Sequence, residues 1–221
     1  MIDVIVIGAG GHAAEIDEYI SYNNKHSADE GLHVIGFLDD NPESYARYKF
    51  SAPLIGSASH HEVIRNHSYI LGIAGIQYRR IFVERYLAGG ARFVTLIHCG
   101  SYISASATIG EGSIIGPNAN IGPNAKVGMF TLINSRCSLG HDTVVGDFNF
   151  ISPNTCLSGF TEVGDENLFG INAATLPGIK IGNRNKISAG MIIDTNIGDS
   201  SVIFYRFKER IIAIPRDATS E

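Results

Sequence analysis

The chain has 221 residues, of which 44% are hydrophobic and 18% charged, and its formal net charge is −5. This composition supports a buried core and argues against a disordered chain, while the absence of a long basic run argues against a nucleic-acid-binding protein. The three cysteines form no CxxC pair, so we interpret them as reduced, buried thiols and predict no metal site. The N-terminus lacks the basic segment of a secretion signal, and no apolar run approaches the ~18 residues of a membrane span, which together predict a cytoplasmic protein.

The first half of the sequence alternates between short apolar strands and helical segments. The predicted elements are strands at 3–7, 33–40, 68–75 and 92–98, and helices at 13–22 and 77–90. Strands that alternate with helices are typical of a parallel sheet covered by helices. Residues 1–98 are therefore predicted to form a Rossmann-like α/β domain.

The turn after the first strand reads "GAGGHA" and opens the first predicted helix. Such a turn lets a phosphate approach the amide groups at a helix N-terminus, and it nearly matches the GxGxxG/A motif of NAD(H) sites. In an NAD(H) site, an acid about 20 residues further on would bind the ribose. Asp39 and Asp40 end the second strand but lie further along the chain than this, and nothing downstream suggests hydride transfer.

From Tyr102 onward the sequence follows a six-residue repeat. Every sixth residue from Ile103 to Ile193 is apolar except Thr175, and the residue two positions earlier is usually small or polar. Neither a helix nor a plain strand holds this register, whereas hexapeptide repeats are typical of a parallel β-helix with three strands in each coil. We predict a β-helix over 99–204, with the repeated residue facing inward. Because the register slips after Ile193, residues 205–221 are predicted to form a C-terminal cap and tail.

One histidine lies in this repeat region, in the segment "INSRCSLGHDTVVGDF". His141 follows the inward-facing Leu139 by two positions, so we expect it outside the core, near a corner of the β-helix. A free imidazole titrates near pH 6.5, which suits a general base at neutral pH. Asp142, the next residue, is a candidate partner for the imidazole, although it could also be a solvated corner residue.

The motifs "GAGGHA", "FLDD", "GHD", "LSGFTEVG" and "GINAATLPGIKIG", in this order around the hexapeptide repeats, resemble one known family. It comprises hexapeptide-repeat sugar acyltransferases, among them PglD-type UDP-amino-sugar N-acetyltransferases and NeuD-type sialic acid O-acetyltransferases. The resemblance extends from Ile2 to about Ile203. It implies a left-handed β-helix, a homotrimer, acetyl-CoA as a co-substrate that is not tightly bound, and an N-terminal domain that holds a nucleotide sugar.

The resemblance also implies roles for individual residues. His141 would be the catalytic base, Asp142 its acidic partner, and Gly159 the position whose backbone N–H stabilises the oxyanion of the acetyl-CoA thioester. Gly10, Gly11 and His12 would lie near the phosphates of the nucleotide sugar, and Asp39 or Asp40 near its base or ribose.

Several residues have two interpretations on position alone. Arg79 and Arg80 could meet the diphosphate from the start of their helix or lie on an exposed helix face. Asp40 could instead cap the "DNPES" segment, and His98 could simply pack at the domain junction. Three further cationic residues are interpreted as exposed side chains that aid solubility, and contacts with phosphate are the alternative: Lys180, Lys186 and Arg206.

Two positions depart from the family pattern. PglD-type relatives often carry a second histidine where this chain has Phe150, and the "GxPAK"-like strand near the C-terminus is replaced by "IIAIPR". Contacts of these regions with the acceptor and with CoA are therefore not transferred to this chain.

The leading hypothesis is an acetyl-CoA-dependent N-acetyltransferase acting on the amino group of a nucleotide-linked 4-amino-4,6-dideoxy sugar, for polysaccharide or glycan assembly. The choice of N- over O-acetylation follows from the resemblance alone. The alternatives are a sialic-acid-type sugar O-acetyltransferase and a non-catalytic binding or assembly module. A β-helix metalloenzyme of the carbonic-anhydrase type is disfavoured, because its site needs three histidines and the repeat region offers only His141.

Overall fold

The computed structural model describes residues 1–28 and 30–205. The predicted cap and tail beyond Tyr205, including Arg206, lie outside the described residues. Within the described part of the chain, no helix is both long enough and apolar enough to cross a membrane.

A parallel five-stranded sheet forms the N-terminal domain, in the strand order β3-β2-β1-β4-β5. Its elements are β1 (Ile2–Ile7), α1 (Gly11–His26), β2 (Leu32–Leu38), α2 (Pro42–Ala46), β3 (Leu54–Gly56), β4 (Ser68–Leu71), α3 (Ile76–Ala88) and β5 (Arg92–Phe93). The middle strand β1 is fully buried from Val4 to Ile7, as expected for a parallel sheet covered on both faces. Helix α1 is longer than predicted, while α2 and β3 were not predicted at all.

A β-helix of two-residue strands forms the second half, and its three flat sides confirm the predicted left-handed parallel β-helix. Face 1 contains β6 (Leu96–Ile97), β9 (Ile114–Ile115), β12 (Leu132–Ile133), β15 (Phe150–Ile151), β18 (Leu168–Phe169), β21 (Lys186–Ile187) and β23 (Val202–Ile203). Face 2 contains β7 (Tyr102–Ile103), β10 (Asn120–Ile121), β13 (Ser138–Leu139), β16 (Cys156–Leu157), β19 (Ala174–Thr175) and β22 (Ile192–Ile193). Face 3 contains β8 (Thr108–Ile109), β11 (Lys126–Val127), β14 (Val144–Val145), β17 (Glu162–Val163) and β20 (Lys180–Ile181).

The repeated apolar residues form one continuous core inside the prism, as the six-residue period predicts. Neighbouring coils align these residues directly, so that Leu139 pairs with Ile121 on one side and Leu157 on the other. Thr175, the one polar member, is buried, and its hydroxyl lies 2.8 Å from the hydroxyl of Thr161. This hydrogen bond offsets the desolvation of both groups.

The register slip after Ile193 is a shortening of the last coil. Ile197 bridges to Ile181 and Ile203 pairs with Ile187, so each pair is two residues closer in sequence than in the preceding coils. The apolar residues still face inward, because the deletion falls in a corner and not in a strand.

The predicted single strand at 92–98 is two strands in two different sheets. Strand β5 pairs with β4 of the N-terminal sheet, whereas β6 pairs with β9 on face 1. The chain therefore changes sheets at residues 94–95, ahead of the boundary predicted after His98. A continuous apolar run does not reveal that its two ends have different partners.

The N-terminal domain packs on face 1 and on the corner between faces 3 and 1. The outward side chains Ile114 and Leu132 of face 1 share a buried cluster with Ile16 of α1. At the corner, Phe130 and Phe148 join a second cluster with Val83 of α3. In the described part of the chain, the buried clusters that join the two domains contain no outward residue of face 2 or face 3.

The expectation of three buried thiols was wrong for two of them. Cys137 faces the core of the β-helix, and burial raises the pKa of its thiol to about 11. Cys156 is exposed because it occupies the outward position of β16, and Cys99 is exposed beyond the end of β6.

His98 packs at the domain junction. Its ring stacks on Tyr22 of α1 with 4.8 Å between ring centroids, and its Nδ1 accepts a hydrogen bond of 3.0 Å from the Gly100 N–H. Asn23 fixes the same segment, donating to the Ile97 carbonyl and accepting from the Cys99 N–H. Burial lowers the pKa of His98 below 6.5, so the folded protein holds this ring neutral.

This burial makes a pH-dependent contribution to stability. The unfolded chain takes up a proton at His98 as the pH falls through about 6.5, whereas the folded chain takes it up only at lower pH. This contribution to stability is therefore fully present above about pH 6.5 and is lost as the pH falls through the lowered pKa of the folded state. We expect His98→Asn, which keeps an acceptor for Gly100, to reduce the loss of unfolding free energy between about pH 7.5 and pH 5.5. The pH slope of the unfolding free energy should differ between wild type and variant by at most about 1.4 kcal/mol per pH unit. Urea denaturation at several pH values measures it, and equal pH slopes for variant and wild type would contradict it.

Candidate active site

His141 lies at the corner between faces 2 and 3, directly after β13, as its position in the repeat predicts. Its side chain is 57% exposed, and its Nδ1 lies 2.9 Å from Oδ2 of Asp142. The structure thus brings together the two residues that were predicted to act as base and acidic partner.

Asp142 is placed for this contact by the shape of the corner. Its φ is 57°, a left-handed conformation that aspartate tolerates better than most residues. Asn124, one coil earlier, donates a hydrogen bond of 3.1 Å to its other carboxylate oxygen. The hydrogen bond from His141, followed by that from Asn124, lowers the pKa of Asp142. An ionised carboxylate accepts the Nδ1–H of His141, which leaves Nε2 as the basic nitrogen of the ring.

Gly159 lies against the imidazole from the next coil. A Cβ atom at this position would be 2.8 Å from both Cε1 and Nε2 of His141, so a side chain here would displace the imidazole. The Gly159 N–H donates to no other residue in the described part of the chain. The role of this N–H as the oxyanion donor stays a prediction.

A cleft of about 280 Å³ lies at the carboxyl end of the N-terminal sheet. It is lined by Gly8, Asp39, Asp40, Ala58, Ile73, Tyr78 and Phe82. The strand order reverses between β1 and β4, and ligands of open α/β sheets bind at such a switch point. Gly8 has φ +106°, and a Cβ there would be 3.0 Å from the backbone of Gly72. Only glycine therefore suits this turn.

Asp39 holds the glycine turn in place. Its Oδ2 accepts a hydrogen bond of 2.7 Å from the Ala9 N–H, and its Oδ1 accepts one of 2.8 Å from the Asn41 N–H. Gly10 faces open space, whereas Gly11 lies close to the hydroxyl of Tyr48. The turn is thus preorganised with one open side.

The Asp40 carboxylate is bound by its own neighbourhood. It accepts hydrogen bonds from the hydroxyls of Ser57 and Ser59 and from the Ser59 N–H. Partial burial opposes ionisation, but these hydrogen bonds together lower the pKa of Asp40 below its ordinary value. The capping role considered for Asp40 belongs to Asn41, whose side chain accepts from the Glu43 N–H at the start of α2.

Arg79 is placed differently from both predicted alternatives. Its side chain is fully buried, and it donates to the carbonyls of Ile73 and Phe130 at 2.7 and 2.8 Å. It is neither an exposed helix residue nor open to a diphosphate, because α3 packs directly on the corner at Phe130. Burial lowers the pKa of Arg79 to about 10. Arg80 is the more exposed of the pair, and it forms an ion pair with Glu166.

His12 is also buried, behind the glycine turn. Its ring leans on Phe150 of face 1 with 6.4 Å between centroids, and burial lowers its pKa. Its Nδ1 lies 3.3 Å from Glu15, and its Nε2 has no hydrogen-bond partner among the described residues. The contact links the glycine turn to the position where PglD-type relatives often have a second histidine.

Two residues that contribute to these sites, Asn124 and Tyr48, were not predicted from the sequence. Asn124 lies one coil before Asp142, so the repeat itself could have revealed their contact. Tyr48 approaches the glycine turn from an irregular segment that carries no periodic signal. Among the described residues, no group of three or more His, Cys, Asp or Glu side chains could hold a metal ion.

The two sites lie on different sides of one chain. The cleft belongs to the domain on face 1, whereas His141 is at the corner opposite that face. The outward residues of face 3 between them are exposed, as Lys126 and Val144 show. One chain therefore does not bring its own cleft to its own imidazole.

The N-terminal domain matches the model of the PglD N-terminal domain family over residues 3–86. A curated relative, UDP-N-acetylbacillosamine N-acetyltransferase of Bacillus subtilis (strain 168), is 29% identical over 116 residues. This match covers 52% of the chain and spans about half of that relative, 51% of its length.

Solved structures extend the similarity to nearly the whole chain. The acetyltransferase domain of PglB from Neisseria gonorrhoeae FA1090 has a TM-score of 0.79 at 25% identity, with 91% of this chain and 96% of that chain covered. The same domain in complex with acetyl coenzyme A has a TM-score of 0.78 at 26% identity, covering 90% and 94%. A perosamine N-acetyltransferase from Caulobacter crescentus, in complex with CoA and GDP-perosamine, shares the fold with a TM-score of 0.79 at 23% identity, covering 90% and 92%.

A Rossmann-like domain followed by a left-handed hexapeptide β-helix with a His–Asp pair at one corner defines a class of two-domain hexapeptide-repeat proteins. Within this class the chain is similar to PglD-like proteins, in its N-terminal domain by the family model and over nearly the whole chain by fold, which agrees with the resemblance seen in the sequence.

Proposed function

We propose that the protein is an acetyl-CoA-dependent N-acetyltransferase that acts on the amino group of a nucleotide-linked 4-amino-4,6-dideoxy sugar. The observation that carries the proposal is the imidazole of His141, held at Nδ1 by Asp142 and lying against Gly159, whose N–H has no acceptor among the described residues. The PglB acetyltransferase domain, which shares this fold, has been solved with acetyl coenzyme A. The name of the curated Bacillus subtilis relative describes an N-acetyltransferase of a UDP-linked amino sugar.

The chemistry is direct acyl transfer. Nε2 of His141 accepts a proton as the sugar amine attacks the thioester carbonyl, and Asp142 stabilises the resulting imidazolium. The Gly159 N–H donates to the oxyanion of the tetrahedral intermediate. When that intermediate collapses, the carbon–sulfur bond breaks, the imidazolium returns its proton to the departing thiolate, and the products are an amide and CoA.

The acceptor comes from a neighbouring copy in this proposal. The cleft at Asp39 and the imidazole of His141 lie on different sides of one chain, whereas faces 2 and 3 are free to contact other copies. A homotrimer of parallel β-helices would bring the N-terminal domain of one copy to the His141 corner of the next. In a closed ring of this kind, each site is shared by two neighbouring subunits.

A cytoplasmic location is part of the same proposal. Cys99 and Cys156 are exposed and unpaired, which suits a reducing compartment.

The test uses the purified full chain with acetyl-CoA and a panel of UDP- and GDP-linked 4-amino sugars. Release of free CoA thiol and a sugar product heavier by one acetyl group are expected. The product should resist mild base, because an amide survives conditions that cleave an ester. Thiol release only with acceptors that lack an amine would show an O-acetyltransferase. No thiol release with any acceptor, despite nucleotide-sugar binding, would indicate a binding module.

A further inference from the structure

Phe160 contacts the imidazole of His141 from the next coil of the β-helix. The two rings meet edge to face, with 4.9 Å between centroids and an interplanar angle of 86°. The Phe160 N–H also donates a hydrogen bond of 3.1 Å to the His141 carbonyl, so the contact is fixed by the stacking of the coils. Despite this contact, 57% of Phe160 is exposed to solvent.

The backbone at Phe160 is unfavourable for a bulky residue. Its φ is +60°, in the left-handed region, where glycine, asparagine and aspartate are tolerated and large side chains are strained. The same corner in the neighbouring coils carries Asn124, Asp142 and Gly178, all of the tolerated types. Phe160 is the exception in this column of corner residues.

Burial does not account for this choice. Phe130 and Phe148 also have positive φ, at the corner between faces 3 and 1, but both are buried against the N-terminal domain. Their hydrophobic burial offsets the strain. Phe160 has no such cover among the described residues. Exposed Arg136 and Arg184 also have positive φ, so the backbone alone does not mark a functional residue; at Phe160 it coincides with a contact to His141.

The surroundings show what the ring does. Asp142 fixes the Nδ1 side of the imidazole, and Gly159 leaves space for its Cε1–Nε2 edge. The ring of Phe160 lies against the imidazole from the next coil, at a third position around the ring.

We propose that Phe160 is a positioning residue that holds His141 in the orientation in which its Cε1–Nε2 edge faces Gly159. The inference rests on the proposed function, in which Nε2 is the base. Aromatic pairs of this geometry contribute about 0.5–1.5 kcal/mol beyond buried area. Such a contact is enough to favour one orientation of an exposed imidazole by up to about tenfold.

The kinetic test compares Phe160→Gly with Phe160→Tyr. Glycine suits the left-handed corner, so Phe160→Gly should keep or raise the thermal midpoint while kcat falls about tenfold and KM for acetyl-CoA changes little. Phe160→Tyr keeps the ring and should retain most of the wild-type kcat. Asn172→Gly, an exposed left-handed corner on another edge, is the control and should leave kcat unchanged. A rise in KM at constant kcat would overturn the proposal, since Phe160 would then contact a substrate directly.

A double-mutant cycle separates this inference from the proposed function. In a His141→Ala background, Phe160→Gly should cause no further loss, because it acts only through the imidazole. Additive losses would refute the positioning role. If His141→Ala itself retained most activity, the proposed base would be wrong.

Labelling histidine with ¹³C at Cε1 gives a readout that needs no activity. The His141 resonance, identified by its absence in His141→Ala, should move when Phe160 is replaced by glycine and stay close to its wild-type position with tyrosine. An unchanged resonance in Phe160→Gly would show that the ring contact does not hold the imidazole.

Discussion

Replacing His141 with alanine is expected to lower kcat by about 10²–10⁴-fold, the range that a general base contributes. The substitution removes the imidazole that lies against Gly159. The side chain is exposed and outside the apolar core, so the thermal midpoint and the oligomeric state should stay the same. Thiol release under saturating acetyl-CoA measures kcat directly.

The chain contains a matched control for this variant. His33 and Asp3 form a second exposed His–Asp pair, also with 2.9 Å between Nδ1 and a carboxylate oxygen, on the N-terminal sheet. His33→Ala should leave kcat unchanged. If His141→Ala kept most of the wild-type rate while its oligomer remained intact, acyl transfer would not depend on this imidazole.

The second large effect is expected for Gly159→Ala, which should lower kcat by about 10²-fold. The new methyl group would be 2.8 Å from Cε1 and Nε2 of His141, so either the ring or the backbone N–H must move. The exposed ring moves more easily, and in doing so it loses its hydrogen bond with Asp142. Stability should change little, because the core does not include this position.

Gly198→Ala is the control for this substitution. A Cβ at Gly198 meets no atom within 4 Å, so the same chemical change should leave kcat and stability as they are. Calorimetric titration with CoA would show whether Gly159→Ala also weakens donor binding. A wild-type kcat in Gly159→Ala would mean that the close approach of Gly159 to His141 has no catalytic role.

The β-helix was predictable almost residue by residue, because its geometry imposes a period that the sequence must repeat. The same period placed His141 outside the core and next to a corner. The face on which the N-terminal domain packs could also have been predicted. Ile114, Leu132 and Phe150 are apolar at an outward position of successive coils, which a solvent-exposed face would not require.

Other features depend on contacts between distant segments and carry no local signal. Arg79 is buried because the carbonyls of Ile73 and Phe130 converge on it, and nothing in the helical pattern of α3 distinguishes it from the more exposed Arg80. The division of 92–98 between two sheets likewise depends on which strands lie alongside. The strained corner at Phe160 becomes visible only when φ values are compared between coils.

Mixed oligomers test most directly whether acyl transfer takes place where His141 of one copy meets the nucleotide-sugar cleft of another. One parent is His141→Ala, and the other is Gly10→Leu, which adds a side chain at the glycine turn, where the phosphates of the nucleotide sugar are predicted to bind. Each parent alone should be nearly inactive. Trimers assembled by co-expression of both, and purified through two tags, should recover activity, because one of the three sites then combines an intact imidazole with an intact cleft. Mixed trimers as inactive as both parents would show that base and acceptor cleft belong to the same chain, or that the site lies elsewhere.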